Sequence, residues 1–101
     1  MNYVRVWRFR PKPETVRAFE EAYGPEGDWA RLFRTADGFL GTTLLKDHGE
    51  PAEYLTLDRW VSSPAYEAFR RARDQEFIAL DRQCEKLTAL EEEIGEYEES
   101  G

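Results

Sequence analysis

The first ten residues restrict the possible folds most. Tyr3-Val4-Arg5-Val6-Trp7-Arg8-Phe9-Arg10 is dense in β-branched and aromatic types, and it is stopped by Pro11-Lys12-Pro13, which cannot continue a hydrogen-bonded ladder. Successive side chains of a strand point to opposite faces, so Val4 and Val6 share one face while Trp7 and Phe9 share the other. A strand that is apolar on both sides needs cover on both. Helices supply one cover, and a second copy of the chain is the simplest supply of the other. At 101 residues the chain fits one domain, and so short a domain leaves much of its surface uncovered when alone. A homodimer is therefore expected.

The remaining pattern places the other elements. Pro13 and Glu14 open a helix in which Val16, Phe19 and Tyr23 recur at helical spacing, with Gly24-Pro25 as the stop. A second helical piece is capped at Gly27 or Asp28, buries Trp29, Leu32 and Phe33, and ends at Asp37-Gly38. Strands are predicted from Phe39 to Lys46 and from Tyr54 to Val61, joined by the turn-rich Asp47-His48-Gly49-Glu50-Pro51. Ser62-Ser63-Pro64 reads as a helix start. Beyond it the apolar positions Phe77, Leu80, Cys84, Leu87, Leu90 and Ile94 step at helical spacing and predict helix to about residue 92. Glu96 to Ser100 is left as a short last strand, and the acidic segment 91–101 reads as a solvated helix end and tail. The order β, α, α, β, β, α, α, β fits one α+β unit over residues 1–101. Its plan is a ferredoxin-like split βαβ antiparallel sheet with helices on one face, dimerising into an α/β barrel.

Charge and composition remove several function classes. Six glutamates at positions 91, 92, 93, 96, 98 and 99 supply nearly all of the net charge of −7, so the first ninety residues are close to neutral. Arginines are interleaved with acids rather than gathered in a basic stripe, which argues against nucleic acid as a partner. No apolar run is long enough for a bilayer, and the start lacks the pattern of a secretory signal, so no membrane partner and a cytoplasmic location are expected. Cys84 is the one cysteine and His48 the one histidine. An internal disulfide is impossible and a metal site is not expected.

Three stretches carry a family resemblance. They are Trp29-Ala-Arg-Leu-Phe-Arg-Thr-Ala-Asp-Gly38-Phe39, Trp60-Val-Ser-Ser-Pro-Ala-Tyr66-Glu-Ala-Phe69, and Ala79-Leu80-Asp81 with Leu87-Thr88 and Gly95. With them the chain resembles the antibiotic biosynthesis monooxygenase family of dimeric α/β barrels. The resemblance implies one of two activities: oxygenation of aromatic polyketides without metal or flavin, or haem degradation. For the haem branch the family pattern asks for an Asn on the first strand, a Trp ending the third and a His on the next helix. Trp60 matches the Trp, but Trp7 and Arg70 stand where the Asn and His belong. No iron ligand remains, so the expectation is an oxygenase needing no cofactor.

Such a reaction asks the protein to deprotonate a phenol, hold the anion and exclude water from the reacting carbon, because the aromatic substrate is itself the reductant. Trp60, Tyr66 and Asp58 are the candidate catalytic residues, with Asp58 as base. Trp7, Arg5, Tyr54 and Arg59 are candidates for binding a small aromatic ligand. Tyr54, Thr56, Asp58 and Trp60 share one strand face; Arg59 shares the other with Leu55 and Leu57. Each has a structural alternative: buried aromatics for Trp60, Tyr66 and Tyr54, and a cross-strand ion pair for Asp58. His48 reads as a surface turn residue and Cys84 as a buried hydrophobe. Competing with the enzyme are a non-catalytic ligand-binding or stress-associated barrel, and an isomerase or lyase using Asp58 with a tyrosine.

Overall fold

A computed structural model describes residues 1–100. Strand β1 (Tyr3–Pro11) is followed by a short 3-10 turn at Pro13–Thr15, helix α1 (Val16–Tyr23) and helix α2 (Asp28–Phe33). Strands β2 (Phe39–Lys46) and β3 (Tyr54–Trp60), helix α3 (Ser63–Glu85) and strand β4 (Thr88–Glu98) complete the order. The strands form one antiparallel sheet in the order β2-β3-β1-β4, the ferredoxin-like arrangement, with β1 and β3 at its centre. In α3, Pro64 occupies the first turn and Ser62 caps the start by accepting a hydrogen bond from the Ala65 amide.

The helices cover the face that carries Tyr3, Arg5, Trp7 and Phe9. Between them and the sheet lies a core built mainly of rings: Phe19 and Tyr23 from α1, Trp29 and Phe33 from α2, Tyr66 and Phe69 from α3, Phe9, Tyr54 and Trp60 from the sheet. Neighbouring rings meet tilted or edge to face, as between Phe33 and Trp60 at 5.5 Å and 65°. Gly38 permits the close approach of the β2 start to α3, since a Cβ there would lie 2.5 Å from that of Ala65.

Val4, Val6, Leu45, Leu55 and Leu57 point to the other face, as alternation required of the first two. Leu45 is 46% exposed there, and Tyr97 of β4 is 50% exposed.

The end of the chain departs from the sequence reading. Helix α3 stops at Glu85 instead of about residue 92, and 88–98 is a long strand paired with β1, not a helix end and solvated tail. A turn at Cys84–Leu87 breaks the helix, and the Leu87 carbonyl is held by the Lys12 amide at 3.2 Å and by the Thr15 hydroxyl at 2.7 Å. From that anchor the glutamates run antiparallel to the arginines of β1. Glu93 and Glu96 pair with Arg5, and Glu92 pairs with Arg8. Bulges between Val6 and Trp7 and between Arg10 and Pro11 hide the period-2 alternation that would have marked a strand. Within Ser63–Glu85 one non-helical residue, Arg73 (φ −127°, ψ 27°), marks a kink that joins two helical pieces, in keeping with the two successive helices of the sequence reading.

Candidate active site

A half-open cavity of about 360 Å³ lies between the covered sheet face and helices α2 and α3. One wall is apolar and aromatic, from Trp7 and Phe9 of β1, Trp29 and Phe33 of α2, and Phe77 of α3. Beside Trp7 and Phe9 on the same sheet face, three adjacent strands bring together a polar floor of Arg5, Thr42, Thr56 and Asp58. An apolar slot closed by a few converging polar groups is the usual build of a small-molecule site.

Asp58 is the titratable group the floor is built around. It lies directly across from Thr42 on β2 and from Arg5 on β1. The Thr42 hydroxyl donates to its carboxylate at 2.6 Å. Burial pushes Asp58 up to about 6, outweighing the lowering from that hydrogen bond and from the Arg5 charge. Arg5, though its cross-strand neighbour, is bonded elsewhere: to Glu93 at 3.0 Å, to Glu96 at 3.5 Å and to the Tyr3 hydroxyl at 2.9 Å. A carboxylate with such a value is half ionised near pH 6 and mostly ionised at neutral pH, which suits proton abstraction.

Tyr66 stands over the floor between two guanidiniums. Arg5 lies over its ring, 4.3 Å from the centroid, and Arg70 donates to its hydroxyl at 3.2 Å. Arg70 in turn stacks on Phe77 at 3.8 Å and pairs with Asp74 at 2.9 Å, so its bonds span the irregular residue Arg73. Asp81 and Glu91 complete the lining; burial, with the neighbouring Asp81 and Glu85 charges, raises Glu91 above the usual carboxylate range.

Of the seven residues singled out from sequence, the structure brings four together: Arg5, Trp7, Asp58 and Tyr66 line the cavity. Trp60 does not reach it. It is fully buried behind the wall, against Phe33, Phe39, Tyr66 and Phe69, and its indole N–H has no partner. Tyr54 lies outside the cavity, packed against Phe19, and donates to Glu20; burial and that bond push its hydroxyl up to about 12, so it acts as a brace. Arg59 points to the uncovered face, where it bonds Thr43 and Glu99. His48 is exposed in the hairpin. Cys84 is buried, and burial pushes its thiol up. Thr42 escaped the sequence reading, and Arg70 entered it only as the residue at the haem pattern's His position. Arg70 had a signal, one helical turn after Tyr66; Thr42 had none, because its position opposite Asp58 depends on register. Among the described residues no group of three His, Cys, Asp or Glu side chains could hold a metal ion, and no helix is long and apolar enough to cross a membrane.

Residues 2–79 match the sequence profile of the family described as antibiotic biosynthesis monooxygenase. The chain belongs to that family. No curated protein matches it. Among solved structures, it is similar to SnoaB from Streptomyces nogalater, a cofactor-independent oxygenase, with 18% identity, a TM-score of 0.71 and coverage of 99% of this chain and 94% of that one. Rv0793 from Mycobacterium tuberculosis covers 100% of both chains at 17% identity and a TM-score of 0.68. PA3566 from Pseudomonas aeruginosa has 16% identity and a TM-score of 0.68, covering 99% of this chain and 95% of its own. These likenesses establish the antibiotic biosynthesis monooxygenase fold across the whole described chain.

Proposed function

We propose that the protein is a cofactor-independent monooxygenase of a small phenolic or quinol-like aromatic, working in the cytoplasm as a homodimer. The observation that carries this reading is Asp58: a carboxylate poised near 6, hydrogen-bonded to Thr42 and free of a bonded cation, at the floor of an aromatic slot. A flat ring system fits between Trp7, Phe33 and Phe77. With its hydroxyl directed to the floor, Asp58 takes the phenolic proton, and Arg5 and Tyr66, which line the same cavity, are the groups that hold the anion. The electron-rich anion reduces molecular oxygen directly. For a substrate with a ring CH₂ beside the conjugated system, one oxygen atom becomes the new carbonyl, and the other leaves as water with the two displaced hydrogens. All the electrons come from the substrate.

The uncovered sheet face supports the homodimer reading. Val6, Leu45, Leu55 and Leu57 form an apolar surface there, and its closure by a twin sheet fits the short chain. The test is oxygen uptake by metal-free protein over a panel of quinols and anthrone-like phenols, with Asp58→Asn as control. Uptake that falls by about 100-fold or more in the variant supports the assignment. Binding without uptake across the panel replaces it with the non-catalytic ligand-binding alternative.

A further inference from the structure

The chain spends an acidic strand on one arginine. Arg5 projects from the centre of the sheet onto the cavity floor, and its direct cross-strand neighbour is Asp58. Opposite charges facing each other on neighbouring strands normally pair. Here they do not: Glu93 and Glu96 of β4, on the other side of β1, take the guanidinium, and Glu96 also accepts from the Tyr3 hydroxyl, which itself accepts from Arg5. With Tyr66 under its flat face, Arg5 is held from four directions, leaning toward β4 and away from β3. The bulge between Val6 and Trp7 matters to this arrangement, because it brings both Glu93 and Glu96 onto the cavity face beside Arg5.

We infer that Glu93 and Glu96 are positioning residues that hold Arg5 away from Asp58, keeping that carboxylate free to receive a proton from a bound ligand. The inference rests on the reading of Asp58 as the base, but its measurement does not depend on turnover. Other groups cannot take over the role. On β2 the group facing Asp58 is the neutral Thr42; on α3 the cavity holds Tyr66, Arg70 and Asp81, with Arg70 already bonded to Tyr66 and Asp74; on β4 Glu91 is a further acid and α1 offers only Tyr23. Arg5 is thus the cation best placed to claim Asp58, and β4 holds it back.

The experiment is a carboxyl-carbon NMR titration of the full-length protein, with the Asp58 signal assigned by its loss in Asp58→Asn. In the Glu93→Gln/Glu96→Gln double variant Arg5 loses both acids, turns to Asp58, and lowers the Asp58 midpoint by about 1–3 pH units from its starting value of about 6. Adding Arg5→Met to the double variant restores the higher midpoint. Arg5→Met alone in the parent is the control: a general change of sheet charge predicts the same rise from this substitution in both backgrounds, whereas positioning predicts a much larger rise in the double variant. Amide spectra confirm that each variant is folded, and the single variants report the shift where the double one is not. An Asp58 midpoint that does not move in the double variant, or that stays low when Arg5 is removed, overturns the inference. If the midpoints move as expected while Asp58→Asn retains oxygen uptake, the positioning stands and the assignment of Asp58 as catalytic base falls.

Discussion

Replacing Asp58 with Asn should make the protein more stable while removing its chemistry. In the folded chain Asp58 sits at about 6 against an ordinary value of 3.8, and the gap corresponds to about 3 kcal/mol by which ionised Asp58 disfavours folding at neutral pH. Between those two values the folded state binds the extra proton, so its stability falls as pH rises through the interval and is flat above it. Asparagine cannot ionise, and its carbonyl still accepts from Thr42, although less strongly than a carboxylate does. The expected gain at neutral pH is therefore about 1–3 kcal/mol. Below 3.8 both forms are neutral and the gain vanishes. Urea unfolding of the two proteins across this pH range measures the difference directly, with equal m-values as the check that the unfolded states are comparable. Two results refute the reasoning: a variant less stable than the parent at neutral pH, or a stability difference that does not change with pH. Either would mean that Asp58 holds the sheet together and is not a strained functional group.

Three further outcomes follow from the same geometry. Trp60→Phe leaves the pH dependence of oxygen uptake where it is, because the indole lies behind the cavity wall, whereas Trp60→Ala destabilises by about 3–5 kcal/mol in thermal or urea unfolding. Leu57→Glu places a charge on the uncovered sheet face and turns the proposed homodimer into monomers by light scattering, with little change in the folded-state amide spectrum. Gly38→Val drives its side chain into Ala65 and lowers stability by about 1–3 kcal/mol in denaturant unfolding.

Most of the fold was legible because it rests on local patterns that agree with one another. The stops at Pro11 and Gly24-Pro25, the Ser62 cap and the alternation along β1 and β3 each marked an element that the structure contains. The grouping of Arg5 with Trp7 and Phe9 on one face was legible too, from alternation alone. The site was half legible for the same reason: strand parity put Asp58 and Arg59 on opposite faces, but it could not say which face holds the cavity, so Arg59 stayed among the binding candidates, nor how far along a strand the cavity extends. Trp60 and Asp58 share a face and differ in depth. Depth is set by where α2 and α3 cross the sheet, which no local signal encodes.

The last strand shows what happens when a local pattern and a tertiary demand disagree. Leu87, Leu90 and Ile94 fall at helical spacing, and glutamate is a poor strand former, so residues 88–98 locally favour the wrong state. Two demands outweigh that preference. Without β4, β1 would be a sheet edge with its amides and carbonyls unpaired, Arg5 would lose Glu93 and Glu96, and Arg8 would keep only its 3.8 Å contact to Glu53. Pairing satisfies the backbone and the arginines together. An ordinary strand sequence would have met the first demand alone; a run of glutamates meets both. The acidic composition that looked like a solvated tail is thus what keeps Arg5 engaged at the edge of the cavity, and through Arg5 it sets how freely Asp58 can accept a proton.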